Sequence, residues 1–134
     1  MSEELTFGSF IRKKRLESDQ YISLRELARR LNLSPVYMSD IETGREFAPK
    51  HEVLIRIAEI LRLDKQDREM MYDLAAKTKS RDAVPADLPE YITSHEYAKI
   101  ALRVARDVDA TDTEWQDFIE KLKQRGRHEE EKKP

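Results

Sequence analysis

Within PVYMSDIET, residues 35–43, lie a branched apolar side chain (Val36), a phenol (Tyr37), a hydroxyl (Ser39) and a carboxylate (Asp40). Such a set is suited to contact: donors, acceptors and methyl groups offered to a partner surface. No catalytic set stands out elsewhere. His51, His95 and His128 are isolated, and His51-Glu52 and His95-Glu96 lack the second histidine of an H-E-x-x-H zinc site. Three glycines build no phosphate-binding loop, and the many acids lie on solvated helix faces with nothing to single out a general acid and base. The sequence is therefore expected to be no enzyme and to use no metal and no cofactor.

The elements that must position these residues are two short helices. Ser34 can accept an orphan backbone amide, Pro35 fits the first helical turn, and Gly44 supplies a left-handed stop, which predicts a helix over 35–43. Upstream, Ser23-x-x-Glu26 predicts a capping box and a helix from about Leu24. Only Leu31, Asn32 and Leu33 separate the two signals, a spacing that makes the helices meet steeply across a tight turn. Leu24, Leu27, Ala28, Leu31, Leu33, Met38 and Ile41 recur at three- and four-residue steps and form one inward face. Val36, Tyr37, Ser39 and Asp40 are left outward. Small mixed side chains on a helix flanked by basic residues suit a DNA major groove.

This stretch resembles the Xre/Cro/C1-type, phage-repressor-like helix-turn-helix regulators. The resemblance is carried by Leu27-Ala28, the Leu33-Ser34-Pro35 turn, Tyr37-Met38-Ser39 and Ile41-Glu42-x-Gly44. The alternative is a plain helical bundle containing a tight corner between two helices. The resemblance implies a five-helix, lambda-repressor-like DNA-binding domain over residues 5–78, acting on double-stranded DNA. In that family a basic residue near the end of the first helix pairs with the glutamate closing the recognition helix, here Arg15 with Glu42.

On this reading Val36 meets a thymine methyl, Asp40 accepts from a cytosine amine or repels wrong sequences, and Pro35, Tyr37 and Ser39 are further base-readout candidates. Tyr37 divides between packing and a phosphate contact. Ser23, Arg25, Thr43, Arg45 and Lys50 are the phosphate-contact candidates.

Composition agrees with helices: 39% of residues are charged, 39% are hydrophobic, and there are three Gly and five Pro. An all-α protein is expected. The chain has no Cys, which points to a reducing cytosol, and MSEELTFGSF does not read as a signal peptide. Nor is any apolar run long enough to predict a membrane span. Net charge is −2, divided as +1 over residues 1–79 and −3 over residues 80–134. The bases Arg12, Lys13, Lys14, Arg15, Arg25, Arg29, Arg30, Arg45 and Lys50 crowd around the two short helices and predict a locally basic face.

Flanking helices follow from similar signals. Thr6 is a cap for a helix from Phe7 to about Ser18, with Phe7, Phe10, Ile11 and Lys14 on one stripe. A helix beginning at or just after Pro49 presents Val53, Leu54, Ile57, Ala58, Ile60 and Leu61; another, capped by Asp64, presents Met70, Met71, Leu74 and Ala75. KSRDAVPADLP, residues 79–89, has two prolines and no period and reads as a linker.

Beyond it Leu88, Tyr91 and Ile92 form an apolar anchor, Ser94 caps one helix, and the capping box Thr111-x-x-Glu114 opens another that ends at Gly126. Tyr97, Ile100, Ala101, Val104 and Val108 stripe the first; Trp115, Phe118, Ile119 and Leu122 stripe the second. Residues 90–126 thus form a helical dimerisation or interaction module, and the charged tail 127–134 is expected to be disordered. So short a pair of helices needs a partner surface. That surface belongs to the N-terminal domain, a second copy or another protein; a homodimer is placed first, because such repressors read two half-sites about 34 Å apart.

The same region resembles, in PADLPEYI, AKIALRVA and Trp115-x-x-Phe118-Ile119, the C-terminal region of small mobile-element repressors. For some of these the resemblance implies cleavage by a regulatory metallopeptidase. The leading reading is a homodimeric repressor binding an inverted repeat. Its alternative is an antitoxin whose C-terminal helices bind a toxin while the N-terminal domain autoregulates the operon.

Overall fold

A computed structural model describes residues 4–19 and 21–132 and contains eight helices: α1 (Phe7–Glu17), α2 (Leu24–Leu31), α3 (Pro35–Thr43), α4 (His51–Ile60), α5 (Lys65–Lys77), α6 (Pro89–Ser94), α7 (Glu96–Val108) and α8 (Asp112–Lys132). No strand occurs among the described residues. The chain divides into two compact units, Met1–Tyr91 and Ile92–Pro134.

The helix boundaries of the first unit follow from local chemistry. Thr6 and Ser9 cap α1 reciprocally, each side chain reaching the other's backbone amide at 3.0–3.1 Å. Ser34 Oγ accepts from Tyr37 N at 3.1 Å and Pro35 opens α3, which Gly44 closes at φ 84°. Asp64 accepts from Asp67 N at 2.8 Å at the start of α5. At α2 only half of the predicted box forms. Ser23 Oγ accepts from Glu26 N at 3.0 Å, but the Glu26 carboxylate turns to Arg29 and Arg30, each at 2.9 Å through Nε. These two guanidinium groups, Arg29 foremost, hold the Glu26 carboxyl at a pKa of about 2. Asn32 closes α2 in the left-handed conformation at φ 59°.

α1 packs on α3 and α5, and α2 packs on α3 and α4. Phe7, Phe10, Ile11, Leu27, Ala28, Leu31, Met38, Ile41, Leu54, Ile57, Met71 and Leu74 fill the space between them. Leu24 and Leu33, expected on the inward face, are half-buried at its edge. The expected inward position of Met70 is a correction: it is exposed, and Tyr72 is buried instead. Apolar periodicity on α5 cannot distinguish these positions, because the angular sector facing the core depends on where the other helices lie.

Residues 79–89 are not wholly a free linker, since Ala86 packs against the core. The expected anchor is likewise corrected: Leu88 and Tyr91 are exposed, with only Ile92 half-buried, and α6 begins at Pro89. Within the second unit the N-cap of α7 is His95, not Ser94, which instead ends α6. The Thr111–Glu114 box closes in both directions, at 3.1 and 3.2 Å. α8 then continues through Gly126, the expected stop, to Lys132, so most of the expected disordered tail is helical. Gly126 takes no left-handed geometry, and ion pairs from Arg127 to Glu120 at 3.0 Å and Arg125 to Glu129 at 4.0 Å span the site. No helix of the described residues is long and apolar enough to cross a membrane.

Candidate nucleic-acid interface

α3 turns Met38 and Ile41 inward and leaves Pro35 and Val36 outside, Val36 at 72% exposure. Ser39 and Asp40 are half-buried along its side. Tyr37 does not stand free: it is half-buried and packs against the hydrophobic core, which limits how its ring can reach a base. The nine residues of α3 make a rod of about 13 Å, short enough to lie along base edges.

The back of this rod is held by a buried ion pair. Arg15 donates through Nε to Glu42 Oε2 at 2.8 Å and through Nη2 to Oε1 at 2.9 Å, with side chains 7% and 5% exposed. Arg15 Nη1 also donates to the Ile22 carbonyl at 3.0 Å, joining α1, the entry to α2 and the end of α3. Its hydrogen bond to Glu42 raises the Arg15 pKa against the opposing effect of burial.

Sequence reading missed a second clamp. Gly8 in α1 lies so close to α3 that a β-carbon there would sit 2.1 Å from the Glu42 carbonyl oxygen and 2.8 Å from its Cα. Only the absence of a side chain permits this approach. The available signal was a lone glycine inside a helical pattern, which suggests close packing without saying against what.

The phosphate-contact candidates differ in their freedom. Ser23 Oγ accepts from Glu26 N, so its proton remains available to a phosphate oxygen. Thr43 donates its hydroxyl to the Ser39 carbonyl at 3.0 Å, and a phosphate contact would require that bond to be given up. Arg25 and Arg45 are exposed and make no ion pair among the described residues. Lys50 is the N-cap of α4 without a side-chain cap bond and lies 4.0 Å from Glu52. The basic face is thinner than the sequence suggests, because Arg29 and Arg30 share Glu26 and Lys14 pairs with Asp67 at 2.9 Å. No group of three or more potential metal ligands occurs among the described residues.

In the second unit the stripe residues lie at the surface. Tyr97 is 85% exposed, Ile100, Ala101, Val104, Phe118, Ile119 and Leu122 are also exposed, and only Trp115 is half-buried, with its ring edge-on to Phe118 at 6.2 Å.

Two capped helices across a tight turn, the second braced from behind and open in front, define a helix-turn-helix DNA-binding domain. Residues 6–71 match the family model described as a helix-turn-helix domain. The chain is 36% identical over 86 residues to the ImmF control region 10 kDa protein of Bacillus phage phi105, an alignment covering 58% of this chain and 92% of that protein. It belongs to the Xre-like, phage-repressor-type family of helix-turn-helix regulators and is a DNA-binding regulator. No solved structure matches it.

Proposed function

We propose that the protein is a homodimeric repressor that reads an inverted-repeat operator with α3 in the major groove. The observation that carries this reading is the division of α3 between a side clamped by Arg15 and Gly8 and a side on which Val36 is 72% exposed. Val36 and Asp40 are the base-reading pair, with Pro35 and Ser39 beside them and Tyr37 supporting from its packed position. Ser23, Arg25, Arg45 and Lys50 fix the register on phosphates, where Thr43 contributes less because its hydroxyl is engaged.

Selection from random duplexes is expected to yield an inverted repeat with half-site centres about ten base pairs apart. Val36→Ala and Asp40→Ala are each expected to change preference at one base pair by about 1–3 kcal/mol. Arg45→Ala should weaken every sequence alike and reduce the salt slope by about 0.9. A change of preference at one base pair on losing Arg45 would reverse these assignments.

A second copy is the proposed cover for the α7 and α8 stripes, since two half-sites require a two-fold axis. Sedimentation at micromolar concentration should give a dimer, and Trp115 emission should move to the red on dilution as the apolar cover leaves. Ile119→Asp is expected to give a folded monomer with weaker operator binding. A wild-type monomer with Trp115 already red-shifted would favour the toxin-binding reading of the same helices.

A further inference from the structure

Lys79 reads in the sequence as the first residue of a linker, yet the fold brings it beside the recognition helix. Thr78, the C-cap of α5, accepts from Ala48 N at 3.0 Å and donates to the Ala75 carbonyl at 2.7 Å. This bond ties the loop after α3 to the end of α5. Lys79 and Lys50 thereby border one open cleft of about 340 Å3, whose walls include Tyr37, Glu46, Phe47 and Val53. Phe47 is 59% exposed on that loop, an aromatic ring with most of its surface in solvent.

We propose that this cleft seats one deoxyribose-phosphate unit of the DNA strand bordering the groove that α3 enters, Lys50 and Lys79 pairing with the phosphate and Phe47 covering the sugar. The proposal rests on the reading of α3 as the DNA-reading helix, with which the cleft shares Tyr37. Charge supports the occupant: two ammonium groups against the single acid Glu46 leave the cleft at +1, matching one phosphodiester. Lys79 has no ion-pair partner among the described residues, and Lys50 has one, the exposed Glu52 outside the cleft lining, at the 4.0 Å limit of such a contact. The aromatic wall fits the apolar face of a deoxyribose, and its contact is indifferent to base sequence. DNA recognition then extends beyond the five-helix domain into the segment that follows it.

Full-length wild type, Lys79→Ala, Lys79→Arg and Phe47→Ala would be compared on the selected duplex by anisotropy across a salt series and by phosphate-ethylation interference. Lys79→Ala is expected to weaken all sequences alike, about three- to tenfold at low salt, with a salt slope smaller by less than about 0.9, because Lys50 stays on the same phosphate. Interference at one phosphate per half-site should weaken with it and recover with Lys79→Arg, and Phe47→Ala should lower affinity without altering base preference. A wild-type slope and interference pattern in Lys79→Ala would overturn the cleft assignment while leaving the α3 reading intact. So would loss of dimer rather than of phosphate contact in these variants, which would make the cleft a protein-binding surface. Failure of wild type to select any duplex would overturn both readings.

Discussion

Arg15→Ala is expected to cost about 3–5 kcal/mol of folding stability, because it leaves the Glu42 carboxylate desolvated and without its bidentate partner. Exposed pairs on the same domain, such as Lys13–Glu17 at 3.9 Å, contribute at most about 1 kcal/mol. The difference lies in burial, and it makes one side chain worth a large part of the stability of a small domain, which is about 5–15 kcal/mol in total. Urea unfolding followed by circular dichroism would measure it. The double variant Arg15→Met/Glu42→Leu should lose much less than Arg15→Ala alone, since it removes both charges from the interior. A loss below about 1 kcal/mol for Arg15→Ala would mean that the pair behaves as an exposed one and does not brace α3.

Gly8→Ala comes next in size, and its sign separates two arguments. Judged from helix propensity alone, the change should stabilise α1, by at most about 1 kcal/mol since Gly8 lies in the first turn. Judged from the tertiary structure, the added methyl meets the backbone of Glu42 at 2.1–2.8 Å, where no flexible side chain can give way. α1 and α3 must separate, and overpacking of this kind costs about 3 kcal/mol or somewhat more, so a net loss of about 2–3 kcal/mol is expected. Displacing Glu42 also moves the end of the recognition helix. Operator affinity should therefore fall under conditions where circular dichroism shows the variant still folded. A more stable Gly8→Ala protein with unchanged DNA binding would show that the close approach of α1 to α3 does not control the reading face.

These variants mark where sequence reasoning stops. The boundaries of α1, α3 and α5 were legible at Thr6, Ser34, Pro35, Gly44 and Asp64, because a cap is made between residues three or four apart and its donors and acceptors can be read in one window. The same window failed at Glu26, where Arg29 and Arg30 offered a competing charge to the carboxylate, and at Gly126, which takes no left-handed turn and lets α8 run on to Lys132. The apolar stripes of α7 and α8 were legible in sequence as well, but their partner was not, since periodicity describes one face and says nothing of what covers it.

The amino-acid sequence by itself determined the all-helical class, the two short helices with their turn, and the side chains that α3 carries. Only the tertiary structure decided which of those side chains stand free, that Gly8 admits α3 against α1, and that Lys79 joins Lys50 and Phe47 at one cleft. The reason is one of range. Helix caps and stripes arise from interactions within a turn or two of chain, whereas the Arg15–Glu42 brace, which only the family resemblance anticipated, joins residues 27 positions apart, and the Ala48–Thr78 bond residues 30 apart. Such contacts exist only once separate helices have packed.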